Sequence, residues 1–468
     1  MERLRKIWQW IDDRSGISAL VVPLAKHLVP PGSKWSYVFG SATLFCLMLQ
    51  VVTGIGLSLL YQPSSDTAYQ SLVLISANTL SAWLRGIHYF GASGMILLMG
   101  LHMIRVFLTA AYKFPRELQW ITGIVLLLLT IVMGFTGQLL RWDDTGVWSA
   151  VVAAEQLGRI PVIGKAIAYF LLGGETVGGY TLGRFYSYHV FIVPALLFGF
   201  TAFHVYLVFR NGISEPPKVG RLVDPKKYRV WYEKMLEKKG VPFFPDAAWR
   251  DMVFGFCVIC IIALSAYFIG APKLVGPPDP ASINANPAPD WYLSWIFALF
   301  ALMPPKIESY VIAFGPPVLI FLLLALPFLS NKGERHPLRR PWAILGVAMT
   351  VAIVIALSIE GMKAPWSPVF DVKPLPASTL DTSDKKLLKG MRLFYDKGCL
   401  YCHKIGDRGG LRGPDLTNVS RRLNRQEMTI RIVNGGEYMP AFGGSLSQEE
   451  LDLIINFLEN VSDAKVSR

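Results

Sequence analysis

Two apolar stretches decide the fold of this chain: WLRGIHYFGASGMILLMGLHMIRVFLTA at residues 83–110 and FYSYHVFIVPALLFGFTAFHVYLVF at residues 185–209. Each stretch is long enough to cross a bilayer as a helix, and each carries two histidines. The histidines are 14 residues apart in the first stretch and 15 in the second: His88 and His102, then His189 and His204. Since both spacings are close to four helical turns, or about 21 Å, each helix presents its two imidazoles on roughly one face. Ionisable side chains are costly inside a membrane, so such residues are usually functional.

The paired histidines indicate two haems stacked along a helix bundle. Neutral imidazole is a common axial ligand of haem iron, and one histidine from each helix at each level would complete a bis-histidine centre. We therefore expect two non-covalent b-type haems near opposite faces of the membrane. A single membrane histidine is more often a packed or hydrogen-bonded residue, but this alternative does not explain two matched pairs.

The composition predicts an all-α, polytopic membrane protein. The 468 residues are 52% hydrophobic and have a mean hydropathy of +0.40, which is too apolar for an ordinary soluble protein. We predict seven transmembrane helices, at about residues 35–60, 83–110, 120–140, 185–209, 251–270, 308–329 and 342–360. Residues 1–34 are charged and amphipathic, so we expect them to lie on the membrane surface rather than to form a cleavable signal peptide.

The net charge of +13 indicates membrane orientation rather than nucleic-acid binding. Lysine and arginine are concentrated before the first span, after the second and fourth spans, and between the sixth and seventh. If these segments are cytoplasmic, the positive-inside rule holds and seven crossings place the C-terminus outside. We therefore predict a bacterial inner-membrane protein with a cytoplasmic N-terminus. The second and fourth spans are then parallel, which pairs His88 with His189 on the outer side and His102 with His204 on the inner side.

The chain divides into regions of different composition. We predict a four-helix domain at 35–215, a basic cytoplasmic linker at 216–250 and a three-helix domain at 251–360. Residues 361–384 are rich in proline and polar residues, which predicts a semi-extended tether of up to about 60 Å. A small soluble domain follows at 385–468.

Within the small domain, Cys399-Leu400-Tyr401-Cys402-His403 has the C-x-x-C-H pattern that attaches a c-type haem. The two thiols form thioethers with such a haem, and His403 ligates its iron. Met439 is the expected sixth ligand, with Met428 and Met391 as alternatives. A zinc or redox C-x-x-C site would explain neither the adjacent histidine nor the downstream Met439-Pro440. Helices at 385–397 and 447–460 would complete a small monohaem fold.

Glycines on two other spans repeat the histidine spacing. Gly40 and Gly54 are 14 residues apart, and so are Gly123 and Gly137. Glycine at a helix interface would let a porphyrin approach the backbone, whereas ordinary small-residue helix packing is the alternative.

Three arginines near the histidines could pair with haem propionates or anchor the helices at the membrane interface: Arg85, Arg105 and Arg184. Three further cysteines lie in apolar helices without histidine or acidic neighbours, and we interpret them as small hydrophobic residues: Cys46, Cys257 and Cys260.

Two segments on the predicted outer side combine tryptophan with acidic residues. Pro289-Asp290-Trp291-Tyr292 precedes an apolar run, and Arg141-Trp142-Asp143-Asp144-Thr145-Gly146-Val147-Trp148 follows the third span. Taken alone, an acid at the membrane edge is more simply interpreted as a cap of a loop.

Together these motifs resemble the dihaem cytochrome b of quinol-oxidising cytochrome bc complexes, especially its chloroplast and cyanobacterial branch, in which the second histidine pair is also 15 residues apart. The matching stretches within residues 26–216 are VPPGSKWSYVFGSATLFCLMLQ, GLHMIRVFLTAAYKFPRELQWITG, IPVIG and RFYSYHVF. Residues 243–361 resemble the separate three-helix subunit of that branch, with PDWY in place of the more usual PEWY. The C-terminal domain resembles a monohaem cytochrome c, including the Gly413-Pro414 pair.

The resemblance implies that quinol is oxidised in an outer pocket built by Asp290, Tyr292, Trp142, Asp143 and Gly146. In that family, one electron goes to a Rieske iron–sulfur protein, and the other crosses both b-type haems to reduce quinone at an inner site. Protons are released outside, and a carboxylate such as Asp290 suits proton acceptance. The c-type haem would be the electron exit toward a soluble or membrane cytochrome c. The implied assembly is a proton-translocating respiratory complex of several subunits, usually dimeric.

Two departures from the family pattern matter. Val38 stands where the chloroplast-type protein has the cysteine that attaches an extra haem at the inner site, so that haem is not expected. Arg141 stands where the relatives have proline before Trp-Asp, which would alter docking of the Rieske protein.

Two other functions remain as alternatives. A membrane haem anchor that reduces quinone for a hydrogenase or formate dehydrogenase could use bis-histidine haems, but it gives no reason for PDWY. A non-catalytic electron conduit would need no quinone pocket.

Overall fold

The computed structural model describes residues 2–278, 289–363, 369, 372–376, 379–380, 383–435 and 439–461. The chain forms two compact units, residues 1–279 with 303–355 and residues 280–302 with 356–468. In chain order the helices are α1 (Glu2–Ser15), α2 (Ile17–Ala25), α3 (Phe39–Ser58), α4 (Ala68–Ala77), α5 (Thr79–Leu108), α6 (Glu117–Leu139), α7 (Asp144–Gly158), α8 (Gly164–Leu172), α9 (Gly179–Ser187), α10 (Val193–Asn211), α11 (Tyr228–Lys239), α12 (Ala248–Phe268), α13 (Ser294–Ala301), α14 (Pro305–Leu329), α15 (Pro341–Lys363), α16 (Lys385–Asp396), α17 (Cys399–Cys402), α18 (Arg425–Asn434) and α19 (Gln448–Asn460). Two short antiparallel pairs join β1 (Leu28–Val29) to β2 (Val241–Pro242) and β3 (Lys404–Ile405) to β4 (Arg408–Gly409).

The seven predicted transmembrane helices are confirmed. Within the described residues, seven helical segments are long and apolar enough to cross a membrane: Phe39–Ser58, Thr79–Leu108, Glu117–Leu139, Gly179–Asn211, Phe243–Phe268, Ile307–Leu329 and Pro341–Met362. The fourth runs through α9, a π-helical turn (Tyr188–Ile192) and α10 without interruption. At the N-terminus, α1 exposes Ile7, Trp8 and Trp10, as expected of a helix that lies on a membrane surface.

The first unit is built on contacts between α3 and α5 and between α6 and α10. Glycine permits the first of these contacts, since a Cβ atom on Gly91 of α5 would lie 2.1 Å from the amide nitrogen of Gln50 on α3. α5 also contacts α6, so the two helix pairs form one bundle. The bundle therefore holds the four spans that carry the histidines and the paired glycines.

The three-helix domain predicted at 251–360 is not a unit of its own, because its first two helices pack on the bundle. α12 lies against α3 and α5, where the Trp83 indole donates a hydrogen bond to the Ala263 carbonyl at 3.0 Å. α14 lies against α6, where the Trp120 indole donates to the Leu323 carbonyl at 2.6 Å. Indole N–H groups that face neighbouring helices need acceptors, and carbonyl groups of those helices supply them.

The second unit contains the small domain, in which α16 packs against α19 around buried side chains that include Phe394 and Phe457. Its predicted helices are confirmed, each capped by a side chain that accepts from the first turn: Asp384 for α16 and Ser447 for α19. The predicted tether is shorter than 361–384, because Leu375 and Leu380 are buried in the core of this domain. Residues 364–368, 370–371, 377–378 and 381–382 of the tether lie outside the described residues.

Candidate functional site

The histidine pair predicted to lie on the outer side consists of His88 on α5 and His189 in the π-helical turn before α10. Their ring centroids are 6.2 Å apart, and the ring planes are 75° from parallel. Metal–imidazole bonds are about 2 Å long, so a metal ion bound between two such rings would separate their centroids by roughly 6 Å. The two side chains therefore fit one haem iron between them.

The π-helical turn explains why the second pair is spaced by 15 residues rather than 14. At about 100° per residue, 14 residues return to within roughly 40° of the starting face, whereas 15 overshoot by roughly 60°. A π turn accommodates one additional residue. Because Tyr188–Ile192 forms such a turn, His189 and His204 both face α6. The sequence predicts the shared face, but only the extra residue in the spacing hints at the turn that produces it.

The four glycines each lie against a different histidine. An added Cβ atom would lie 3.3 Å from the ring of His88 at Gly54, 3.1 Å from His102 at Gly40, 2.7 Å from His189 at Gly137 and 3.7 Å from His204 at Gly123. At three of the four positions this distance is tighter than ordinary van der Waals contact. The glycines of α3 thus leave room for the two imidazoles of α5, and the glycines of α6 leave room for those of His189 and His204.

Three threonines that we did not single out in the sequence fix the histidine rings. The Nδ1 atoms lie within hydrogen-bond distance of hydroxyl oxygens, at 2.9 Å from His88 to Thr53, 2.8 Å from His204 to Thr122 and 3.2 Å from His189 to Thr136. The Nδ1–H of His189 also donates to the Met133 carbonyl at 3.1 Å. Each hydroxyl in turn donates to a carbonyl of its own helix, at Leu49, Leu118 and Val132 respectively. This arrangement leaves the Nε2 lone pair for a metal. The sequence signal is a Thr-Gly dipeptide, which occurs at three of the four glycines.

The three predicted propionate partners differ in their contacts. Arg85 donates to the Ser76 hydroxyl at 2.9 Å and to the Pro272 carbonyl at 2.7 Å. Arg184 donates to the Phe170 carbonyl and lies over its ring. Arg105 lies 3.7 Å from the ring centre of Tyr37, and its Nε and Nη2 atoms are buried without a hydrogen-bond partner in the described part of the chain. Arg105 is therefore the arginine whose free donors best fit a carboxylate such as a haem propionate.

The c-type motif lies in α17, a single helical turn. Gly398 begins this turn with a left-handed φ of 76°, and His403 follows it as a buried residue. The His403 Nδ1–H donates to the Pro414 carbonyl at 2.9 Å, which leaves Nε2 for iron. Gly413 lies so close that its Cβ would be 2.5 Å from the imidazole. The Gly413-Pro414 pair thus positions His403 in two ways: the Pro414 carbonyl accepts its hydrogen bond, and the missing side chain of Gly413 leaves room for its ring.

The environment of the thiols does not suit a zinc or redox site. Burial raises the pKa of Cys399 to about 12 and also raises the pKa of Cys402, which disfavours the thiolate that such chemistry needs. Among the described residues, no group of three or more His, Cys, Asp or Glu side chains could hold a metal ion. Thioether attachment of a haem remains the interpretation that the motif supports.

The candidate sixth ligands differ in burial. Met391 and Met428 are buried members of the hydrophobic core of the small domain. Met439 is partly buried against the same core. A methionine at the edge of the core has the freedom to reach a haem, so Met439 stays our predicted ligand.

Trp142, Asp143 and Gly146, which we predict to lie on the outer side, form the connection between α6 and α7. Trp142 has a left-handed φ of 44° and donates from its indole to the Ser65 carbonyl at 3.1 Å. Asp143 is fully buried and caps α7 by accepting from the Gly146 N–H at 2.9 Å. Left-handed backbone in a bulky residue is strained and is frequent at functional sites. Because the Asp143 carboxylate is buried, its contacts stabilise this turn.

Arg141 ties the same turn to residues 272–276. Its Nη2 donates to Asp143 at 2.5 Å and to the Lys273 carbonyl at 3.0 Å. The Val275 N–H donates to Asp143 at 3.3 Å, and the Asp144 N–H donates to the Gly276 carbonyl at 3.1 Å. The arginine that replaces the proline of the relatives therefore has a structural partner within this chain.

The PDWY motif belongs to the second unit, at the turn before α13. The Tyr292 hydroxyl donates to Asp290 at 3.3 Å, and the Trp295 indole donates to the Tyr292 carbonyl at 3.0 Å. Two of the five predicted outer-site residues thus share one turn, and the other three share the α6–α7 connection.

Three family models match the chain in succession. They are Cytochrome b/b6/petB at residues 24–212, Cytochrome b(C-terminal)/b6/petD at residues 277–375, and Cytochrome C oxidase, cbb3-type, subunit III at residues 387–458. The cytochrome b6 of Synechococcus sp. (strain JA-3-3Ab) is 39% identical over 214 residues, which cover 46% of this chain and 100% of that protein. The chain belongs to the cytochrome b/b6 family.

This family member is a cytochrome b–c fusion. Cytochrome b/c1 of Bradyrhizobium diazoefficiens is 32% identical over 366 residues, which cover 76% of this chain and 50% of that protein. A chain of a hyperthermophilic respiratory Complex III is similar in structure, with a TM-score of 0.62 and 28% identity over 76% of this chain and 91% of that chain. The resemblance stated from the sequence is confirmed, and the fusion is a haem-binding oxidoreductase subunit of electron transport with b-type and c-type centres.

Proposed function

We propose that this cytochrome b–c fusion oxidises quinol at the outer side of a bacterial inner membrane, as a subunit of a proton-translocating complex. One quinol electron leaves through a Rieske partner toward the c-type centre, and the other crosses the membrane to reduce quinone at the inner side. The observation that supports the proposal most strongly is the arrangement of the four histidines as two pairs, in which each imidazole lies against a glycine of a neighbouring helix.

The four histidines hold two b-type haems, at His88 with His189 and at His102 with His204. When bound, these haems supply one-electron transfer between the two sides of the membrane. The threonine hydroxyls keep three of the imidazoles in the tautomer that presents Nε2. Arg105 has buried N–H groups available for a propionate at the inner level, beside His102.

The outer site removes two protons and two electrons from each quinol. Asp290 accepts one of the protons as a general base, and Tyr292 holds its carboxylate at 3.3 Å. The family resemblance assigns Trp142, Asp143 and Gly146 to quinol oxidation as well, and these residues form the α6–α7 turn that the buried Asp143 caps. Quinone forms when both electrons and both protons have left.

The inner site uses no covalently attached third haem. Val38 is a buried valine, and a thioether needs a thiol at that position. The family resemblance also supports a homodimeric complex, a cytosolic N-terminus, and a periplasmic C-terminal domain that passes electrons to a cytochrome c.

Replacing Asp290 with asparagine tests the outer site. Asp290→Asn keeps the side-chain volume but removes the base, so quinol oxidation by the purified complex should fall by roughly 10²-fold or more. Haem spectra after chemical reduction should be unchanged. The matched control is Asp66→Asn, an exposed acid in the loop after α3, which should retain full turnover.

Two outcomes would contradict the proposal. Unchanged turnover in Asp290→Asn would show that this carboxylate is not needed for quinol oxidation. A complex that copurifies with a molybdenum or nickel subunit instead of a Rieske protein would support the haem-anchor alternative.

A further inference from the structure

The two histidine-bearing helices end shortly after their second histidines. α5 ends at Leu108, six residues beyond His102. α10 ends at Asn211, seven residues beyond His204. At 1.5 Å per residue, these helix ends lie about 9–11 Å beyond the imidazoles along the helix axes. The last carbonyls of a helix are equivalent to about half a negative elementary charge, so the two backbones alone would place negative charge near the His102–His204 pair.

Buried arginines cover both helix ends. Arg340 donates to the Phe107 and Leu108 carbonyls at the end of α5, at 3.1 and 3.0 Å. Arg116 donates to the Gly212 carbonyl at the end of α10, at 2.9 Å. Only 3% of Arg340 and 4% of Arg116 is exposed, so solvent and salt screen their charges weakly. Each helix end thus carries a full positive charge beside its partial negative one.

Two further buried cations belong to the same group: Arg335, which donates to the Thr109 carbonyl at 3.3 Å, and Lys113. Burial, followed by the nearby arginines, lowers the pKa of Lys113 to about 8, so this amine is mostly protonated at neutral pH. Two carboxylates act on the four cations. Glu215 accepts from Arg335 at 2.6 Å, and the less buried Glu334 accepts from backbone N–H groups. The four cations thus exceed these two carboxylates in charge.

The cations come from different parts of the chain. Lys113 and Arg116 lie between α5 and α6, inside the bundle that contains the four histidines. Arg335 and Arg340 lie in the connection between α14 and α15, outside that bundle. A segment that holds none of the four histidines therefore contributes two of the charges next to the His102–His204 pair.

We propose that these buried cations raise the midpoint potential of the b-type haem held by His102 and His204, a role that rests on the haem assignment of the proposed function. Positive charge stabilises reduced iron, so an electron is drawn from the haem at His88 and His189. The step moves one electron from one iron to the other, and no bond forms or breaks. At roughly 12 Å and an effective dielectric constant of about 20, one charge changes the reduction constant about tenfold. At the other haem, roughly 20 Å farther away, the change is about twofold.

The test is a spectroscopic redox titration of the b-type haems in the purified intact complex. Thr122→Val removes the hydroxyl 2.8 Å from His204 Nδ1 and so marks the component that belongs to the His102–His204 pair. Arg340→Gln should lower the reduction constant of that component about tenfold, a fall of about 59 mV in its midpoint potential. The other b-type haem should change about twofold or less. Arg340→Lys keeps the charge and should hold the reduction constant within about twofold of the unmodified value.

The matched control is Arg339→Gln, which should leave both potentials unchanged because the adjacent Arg339 is exposed to solvent. Arg116→Gln, at the end of α10, should give the same fall as Arg340→Gln and is the second variant if Arg340→Gln does not assemble. Equal falls in Arg340→Lys and Arg340→Gln would overturn the proposal, because hydrogen bonding rather than charge would then set the potential. Equal falls in both haems, or a fall in neither, would also overturn it. An unmodified complex without two b-type components would overturn the haem assignment itself, and this proposal with it.

Discussion

At the residue scale, we expect the hydroxyl behind three of the four imidazoles to affect haem potential. A hydrogen bond from Nδ1–H raises the basicity of Nε2 and so stabilises oxidised iron. Thr53 gives His88 such an acceptor at 2.9 Å. The same role falls to Thr122 for His204 and to Thr136 for His189.

Thr53→Val removes this acceptor at nearly constant volume. The midpoint potential of the outer b-type haem should rise by about 40 mV, since a hydrogen bond contributes about 1 kcal/mol. A spectroscopic redox titration measures the shift. Thr130→Val is the control, because the Thr130 hydroxyl donates to the Leu126 carbonyl of its own helix. Equal shifts in the two variants would show that the Thr53 hydroxyl has no specific effect on His88.

A second prediction at this scale concerns the c-type ligand. Met439→His replaces a thioether, which favours reduced iron, with an imidazole, so the potential of the c-type haem should fall by on the order of 100 mV or more. Met428→Leu should leave that potential unchanged, because Met428 is a member of the core. A potential that responds to Met428→Leu and not to Met439→His would reverse the assignment.

The contacts between the histidines and the paired glycines could be predicted, because the shared spacing places them at the same levels of the bundle. The roles of Asp143 and Arg85 could not. Asp143 accepts from the Val275 N–H and Arg85 donates to the Pro272 carbonyl, contacts that depend on segments distant in sequence. Local sequence reveals which side chains are present but not which tertiary partners they meet.

At the scale of the helix, the distances of the glycines from the imidazoles differ enough to be tested. Gly137→Ala would place a Cβ atom 2.7 Å from the His189 ring, which cannot move away while it is bound to iron. One b-type signal should therefore be lost from the reduced-minus-oxidised spectrum. Gly123→Ala would place its Cβ 3.7 Å from His204, an ordinary contact, and should keep both signals.

The two alanine variants also separate porphyrin clearance from general helix packing. Both substitutions are on α6, and both add one methyl group. Loss of haem from both variants would indicate that these glycines serve general helix packing. Retention of haem by both variants would show that neither glycine is needed for haem binding.

The span limits could be predicted to within several residues because hydropathy depends on composition alone. The π-helical turn at Tyr188–Ile192 could not, since nothing in FYSYHVFIV distinguishes it from a regular helix. Only the 15-residue spacing, set against the 14 of the partner helix, gives a hint of it. The helices α7 and α8 were likewise not predicted, because they are shorter than a span and lie outside the membrane segments.

At the scale of the whole molecule, a membrane cytochrome b bundle and a c-type domain are joined in one chain. Under the proposed function, fusion would raise the effective concentration of the c-type centre for its electron donor. The domain order could be predicted from composition and motifs. Its boundaries could not, because α12 and α14 join the bundle and Leu375 and Leu380 join the small domain through contacts that the sequence does not reveal.

The central claim is that the two electrons of quinol divide between two paths. The most direct measurement is a stopped-flow experiment on the intact complex, supplied with quinol and then with a pulse of an oxidant that accepts electrons from the c-type haem. Divided flow predicts that the b-type absorbance becomes more reduced as the c-type absorbance is oxidised, because the second electron enters the b-type haems only after the first has left. Oxidation of the b-type and c-type haems together would contradict it and would indicate a single linear chain.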